Sequence, residues 1–527
     1  VNQATFGATQ ADVDAVISGG YSAWFKSQIG AAQTSAVTDY LTKLAAATQQ
    51  GQGLDMRAIS DFAYRAQVDQ PDQLRQRMVF ALSQILVVSL EDPGVQENLP
   101  AMAAYIDVLN KNAFGDYRNL LEDVTYSPAM ALYLTYINNE KEDAQTGQVP
   151  DENYARELMQ LFTIGLVELN DDGTPKTNPQ GQQIETYTNA DITGLAKVFT
   201  GLSWDDSSFG GRTADREKAG ANYAPLKMWA EEHSLAEKKF LGKTIPANTE
   251  GVASIDQALD ALMAHPNIAP FISKQMIQRF VTSNPSNAYV KRVTDAFNAG
   301  AFVLPDRTVV GKRTKGDLAA TLAAVLFDVE ARDLSKRNDV NFGRVREPVL
   351  RFAHWARVAD VNSPTVLAAN GLTDNWTAAN ANAPEALGQM QWRSPSVFNF
   401  YRPGYVAAGS STAAAGLVAP ELQIFTTTAA TGYANYMRSF IQNANQTSTF
   451  LPSYAAEVAL ADRPDALVDR LNLLMTSNSL STENRARIVA AVNAVSLRQT
   501  NLGEDLRNRV NLATLMIALT PEFIVQR

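Results

Sequence analysis

"AMAAYIDVLNKNAFGDYRNLLEDVTYSPAMALYLTYI", residues 101–137, repeats its apolar side chains every three to four positions, the period of an α-helix with one face turned inward. Gly115 and Pro128 interrupt the run, so it reads as several short helices in succession. The same period recurs upstream in "DQLRQRMVFALSQILVVS" (72–89) and downstream in "GVASIDQALDALMAHPNIAPFISKQMIQRFVTS" (251–283) and "GDLAATLAAVLFDVEARD" (316–333). Helices stacked on helices are expected: a mainly α, large multi-helix globular fold. Thr9 and Asp12, and again Thr188 and Asp191, have the spacing of N-terminal capping pairs, and Gly19 and Gly20 interrupt the first helical run.

One stretch departs from this pattern. "GLVELNDDGTPKTNPQGQQIETYT" (165–188) places two turn signals, Asp172-Gly173 and Asn178-Pro179-Gln180-Gly181, between short alternating segments. It predicts a β-hairpin insert or three-stranded flap around 165–187. Residues 361–420, rich in Ala, Asn, Gly and Ser, read as a long irregular loop region. No fixed-period repeat and no linker divides the chain, so residues 1–527 are read as one helical region.

Composition narrows the function classes. The chain has 527 residues, 46% of them hydrophobic, enough for a large core. A net charge of −10 argues against nucleic acid and anionic membrane surfaces as main partners. The basic clusters in "DQLRQRMVF" and "KQMIQRF" sit at helical spacing and read as solvated helix faces. Cysteine is absent, which removes disulfides, thiolate metal sites and thiol catalysis. The longest apolar run, "MVFALSQILVVSL" (78–90), is too short to span a bilayer, so no transmembrane segment is expected. No signal-peptide pattern precedes "VNQATFG"; an export signal is expected either upstream of Val1 or not at all.

Several stretches together resemble one bacterial family: "NQATFGAT" (2–9), "LRQRMVFALSQILVVS" (74–89), "NAFGDYRNLLEDVTYSPAMALYL" (112–134), "ENYARELMQLFTIG" (152–165), "YTNADITGLAKVFTGLSW" (187–204), "REPVLRFAHWAR" (346–357) and "RSPSVFNFYRPGY" (393–405). On these the chain is identified as a member of the domain of unknown function 1800 family, with the likeness running along nearly its whole length. The resemblance implies an exported, mainly helical protein, periplasmic, cell-surface or extracellular. It also implies frequent encoding beside a second uncharacterised family similar to alkaline phosphatases and sulfatases. It supplies no catalytic residues.

Candidate site residues therefore come from the sequence itself. In "DENYARELMQLFTIG" (151–165) a helix turning about 100° per residue groups Tyr154, Leu158, Leu161 and Phe162 on one apolar face, with Glu157 at its edge. Arg156 then points away from Glu157, and each needs its own partner. A half-buried Glu157 is either a general acid or base with a raised pKa, or half of a structural ion pair. His233 stands beside Glu231 and Glu232, where the family usually has a His-Asp pair followed by Lys; Ser234 replaces the Asp, and Lys238 remains. His265 reads as a helix cap, and His354 as part of a buried polar stripe with Glu347 and Arg351. Many relatives carry His where this chain has Tyr126.

No metalloprotease, nucleophile-elbow, phosphate-loop or dinucleotide motif is present. "LNDDGTP" resembles a calcium loop without its closing Glu. No cofactor is therefore predicted, with calcium held by carboxylates from separate loops left open. "QWRSPSVFNFYRPGY" crowds Trp392, Arg393, Phe400, Tyr401, Arg402 and Tyr405 into a short stretch broken by Pro and Gly, a candidate binding surface.

The leading expectation is an exported non-catalytic surface or assembly component. Its partner would be a protein, such as the phosphatase-like neighbour or a second copy, or an extracellular polymer such as a polysaccharide. The rival is a secreted hydrolase or lyase acting on a polymer, with Glu157 as acid or base, Arg156 or Arg393 orienting an anionic group, and His233 assisting. A deep cleft joining Glu157 to Arg393 or His233 would favour the enzyme; separate burial of these side chains would favour binding.

Overall fold

The computed structural model describes residues 1–211, 222–372, 376, 381–442 and 450–527. Helices dominate, and the strands are short antiparallel pairs. The stretch 101–137 forms helices Leu99–Asn112, Tyr117–Thr125 and Pro128–Tyr133, broken beside Gly115 and at Pro128. Proline sits at the start of the last of these, where its missing N–H costs nothing. Thr9 with Asp12, and Thr188 with Asp191, each form a reciprocal capping box. The first helix, Gln10–Ile29, bends at Gly20, whose φ of 78° lies outside the helical region.

Two hydrophobic clusters fill the interior. One gathers side chains from Phe25 to Phe342 together with Trp392; the other joins Phe6, Tyr64 and Phe80 to helices of the C-terminal third, including Phe352, Trp355, Met437 and Ile517. Helix Arg57–Val68 serves both, sending Phe62 and Ala66 to the first and Tyr64 and Val68 to the second. Helix Gln73–Ser83 lies between them, buried on every side.

That burial corrects the reading of the basic clusters as solvated faces. Arg75, Arg77 and Arg279 are all buried. The side-chain period on these helices reflects packing on both flanks rather than one wet face, so the arginines had to find acceptors and rings inside. Arg75 donates to the Asn110 carbonyl at 2.9 Å. Arg77 donates to the Arg279 carbonyl and stacks 4.7 Å from the Phe280 ring. Arg279 donates to the Gln84 carbonyl at 3.2 Å and lies over Tyr401.

The 165–187 insert is a flap of three segments, each paired with the other two. Bridges Val167–Glu185, Leu169–Pro175 and Thr177–Gln183 link them, and Glu168 N–H donates to Ile184, Lys176 N–H to Glu168 and Ile184 N–H to Lys176. Both turns end on a left-handed glycine, Gly173 (φ 76°) and Gly181 (φ 79°). The described part of 361–420 holds short helices, Pro364–Ala369 and Ser411–Ala414, amid irregular chain; residues 373–375 and 377–380 lie outside the described residues. Strand Arg344–Val345 pairs with Val525–Gln526, tying the C-terminal end to the middle of the molecule.

Candidate functional site

The helix carrying Glu157 is not uniformly α. It is α over Asn153–Glu157 and π over Leu158–Thr163. Thr163 Oγ1 donates to the Leu158 carbonyl at 2.6 Å, and both Ile164 and Gly165 N–H groups return to the Met159 carbonyl at 3.0 Å. Such wide turns are frequent at functional sites. Gly165 ends the helix at φ 72°, where a Cβ would stand 2.6 Å from the Phe271 ring. Beyond it the fully buried Asn267 anchors the flap: its Nδ2 donates to the Ile164 and Val167 carbonyls, both at 2.8 Å, and its Oδ1 accepts from Leu169 N–H at 2.7 Å.

Glu157 is 7% exposed, and its Oε2, shut off from solvent, has no hydrogen-bond donor. Burial raises its pKa, with the neighbouring Arg156 pulling the other way. Two half-buried tyrosines feel its charge. Tyr187 follows the flap and donates to Gln160 at 3.1 Å, one turn along from Glu157. Tyr133 ends helix Pro128–Tyr133, and burial, then Asp92 and Glu157, push its pKa up. Arg156 itself is half-buried and pairs with Glu152 at 3.5 Å.

His233 stands elsewhere. It is buried, with Nδ1 2.9 Å from the Thr200 carbonyl and Nε2 3.3 Å from Ser254 Oγ, a pairing that fits a neutral ring protonated on Nδ1. Burial lowers its pKa. Ser234, in the place of the family's Asp, donates from its hydroxyl to Glu142 at 2.9 Å, and the buried Lys238 Nζ donates to the Ser234 carbonyl at 2.7 Å. The His-Ser-Lys group thus fastens the loop bearing Glu142 onto the segment after Thr200. His265 caps its helix junction by accepting from Asn267 N–H at 3.1 Å.

The aromatic segment divides by direction. Trp392, with φ 68°, turns inward against Tyr105, and Leu90 N–H donates to its carbonyl at 2.8 Å. Tyr401 is buried beneath Arg279 and accepts from Gln84 at 3.3 Å. Neither offers a face to a ligand. Phe400 and Tyr405 are half-buried, Arg393 pairs with Glu91 at 2.7 Å, and Arg402 stacks 4.9 Å from the exposed Phe398.

A buried polar hub was missed by the sequence reading. Arg344 binds Glu347 and Glu421 together, and Glu347 also accepts from Gln84 and Gln389, both at 2.6 Å. Arg351, on the same helix as His354, stacks 3.9 Å from Tyr433. His354 accepts from Arg346 at 2.6 Å and donates to the Leu474 carbonyl at 2.9 Å; it is buried like Glu347 and Arg351, but its hydrogen-bond partners lie outside that stripe. The sequence signal for the hub was present: "RVREPVLRFAHWAR" carries four arginines among apolar residues.

An open groove of about 580 Å³ lies at the flap, lined among others by Asn170, Asp171, Asp172, Lys176, Asn287 and Lys291. It contains none of the predicted site residues, and its lysines are already paired, Lys176 with Glu168 and Lys291 with Asp295. Asp172 accepts from Thr174 Oγ1 at 2.6 Å, closing the turn that resembled a calcium loop. Among the described residues no cluster of three or more His, Asp or Glu is placed to hold a metal, and no helix is long and apolar enough to cross a membrane.

The fold is that of a large, mainly helical protein in which Glu157 and the histidines are each buried or held among partners of their own. The chain matches the family described as a protein of unknown function (DUF1800) over residues 1–525, and it belongs to that family. No curated protein and no solved structure matches it.

Proposed function

We propose that the chain acts outside the cytoplasm as a non-catalytic surface or assembly component that binds a protein partner or an extracellular polymer. The observation that supports this reading is that His233, Arg156 and Arg393 are each engaged with partners of their own. A general acid and base must reach one substrate together. Here His233 is held between Thr200 and Ser254, Arg156 pairs with Glu152, and Arg393 pairs with Glu91. The outward half of the aromatic segment, with Arg402 stacked on Phe398 and Tyr405 nearby in sequence, has the composition of interface anchors.

A hydrolase or lyase acting on a polymer is the second reading. Its specific support is Glu157, whose burial raises its pKa beside a tyrosine that also feels Asp92. Native purification from the producing cells' outer fraction, with sizing and mass spectrometry, tests the first reading. Recovery in a stoichiometric complex or bound to cell-surface polymer is expected; a lone monomer that binds neither overturns it.

A further inference from the structure

The groove at the flap lies between two walls. One is the first turn of the flap, which leans on helix Asn287–Ala299: a Cβ on Gly173 would stand 3.0 Å from Val290 and 3.7 Å from the Lys274 stem. The other is the opening turn of that helix, capped by Ser286, with Lys291 4.0 Å from Asp171 across the gap. The space between them, about 580 Å³, falls within the usual range of ligand sites, about 300–1,000 Å³. Solvent reaches it freely: Asn170, Asp171, Asn287 and Lys291 in its lining are all exposed, and exposed Pro266 and Ala288 add apolar surface.

The chemistry of the lining selects among occupants. Its charges are already balanced within the chain, Lys176 by Glu168 and Lys291 by Asp295. An anion would meet Asp171 and Asp172, and a cation would meet the two lysines, so a charged ligand gains little. The flap's backbone is occupied as well. Asn170 N–H donates to Thr174, Lys176 N–H to Glu168, and Leu169 N–H to Asn267 Oδ1 at 2.7 Å, so a peptide strand finds no run of free backbone groups there among the described residues. What the groove offers is carboxylate, ammonium and amide side chains, acceptors beside donors. A sugar hydroxyl donates to the one and accepts from the other. No aromatic ring is among the described lining residues, so hydrogen bonds carry the recognition.

We infer that the groove between the flap turn 170–173 and the start of helix Asn287–Ala299 binds a neutral polysaccharide, with sugar hydroxyls donating to Asp171 and accepting from Asn287 and Lys291. The inference rests on the polymer branch of the proposed function and gives that polymer a site and a chemistry.

The test uses the full chain with insoluble β-1,4-glucan, chitin and starch granules, with dextran sulfate and polylysine beads as the charged probes. Wild type is expected to sediment with at least one neutral polysaccharide. Asp171→Ala and Asn287→Ala are each expected to weaken that binding about fivefold, and together about twentyfold. Both side chains are exposed, so the variants are expected to melt as wild type does. On the unmodified chain, hydrogen exchange of the amides in 169–176 and 286–292 is expected to slow when the soluble oligosaccharide of the bound polymer is added. Binding that survives the double substitution, with no slowing in those segments, overturns the groove and leaves polymer binding standing. Retention chiefly on a charged probe, lost in the double variant, overturns the neutral saccharide. Absence of polysaccharide binding in a chain recovered within a protein complex overturns the inference but keeps the assembly reading; absence of both overturns both.

Discussion

Arg344 holds two carboxylates at once: its Nη2 lies 2.8 Å from Glu347 Oε1 and 2.9 Å from Glu421 Oε1, with all three side chains out of solvent. Arg344 and Glu347 flank the start of helix Pro348–Val358, while Glu421 comes from the far side of the irregular region. Removing one member of such a buried set leaves an uncompensated charge. Arg344→Met is therefore expected to destabilise the fold by about 3–5 kcal/mol, measured by urea denaturation. A loss below about 1 kcal/mol would mean that water reaches the hub.

Asn267 makes three hydrogen bonds to the backbone where the flap leaves the π-helix. Asn267→Leu leaves the buried Ile164 carbonyl unpaired, at about 1–3 kcal/mol, together with the partly buried Val167 carbonyl and Leu169 N–H. Amides of the 165–187 segment are expected to exchange much faster in the variant, while those of helix Leu99–Asn112 keep their order of protection. Uniform loss of protection across both would show that the flap has no independent stability.

His354 is neutral in the fold, its pKa held well below 6.5 by burial first and then by Arg346 and Arg357. The unfolded chain takes up a proton near pH 6.5 that the fold refuses. Stability from this group is present above that pH and lost as pH falls below it, by up to about 1.4 kcal/mol per pH unit. Between pH 7 and 5.5 the His354→Gln variant is expected to lose stability less steeply than wild type. Equal slopes would contradict the assignment of a neutral buried ring.

Glu157 has the opposite sign. Its folded pKa is raised, so ionisation costs stability as pH rises from the unfolded value, near 4.3, through the folded one. Glu157→Gln is expected to stabilise the protein at pH 7 by about 0.5–2 kcal/mol, the usual mark of a residue kept for function. The gain should shrink toward pH 4, where wild type is also neutral. A variant destabilised at pH 7 would assign Glu157 a structural role instead.

The helices and their caps were legible because periodicity and capping are local: Thr9 with Asp12 and Thr188 with Asp191 need only neighbouring residues. The flap was legible for the same reason, through its two glycine turns. The buried arginines were not. Whether Arg77 faces water depends on Arg279 and Phe280, about two hundred positions away, and no helical period encodes that distance. Nor does periodicity distinguish an α from a π turn, so the shift after Glu157 came from the structure alone. The run from Trp392 to Tyr405 declared its aromatic content but not its direction, and Trp392 and Tyr401 turned inward.

The proposed non-catalytic role is tested most directly by incubating wild type and Glu157→Gln with cell-surface polymer from the producing cells and following new chain ends by reducing-end assay and mass spectrometry. A binding component is expected to form no new ends, with or without Glu157. New ends formed by wild type and reduced a hundredfold or more in Glu157→Gln, a loss typical of removing a general acid or base, would contradict it and make the chain a polymer-cleaving enzyme.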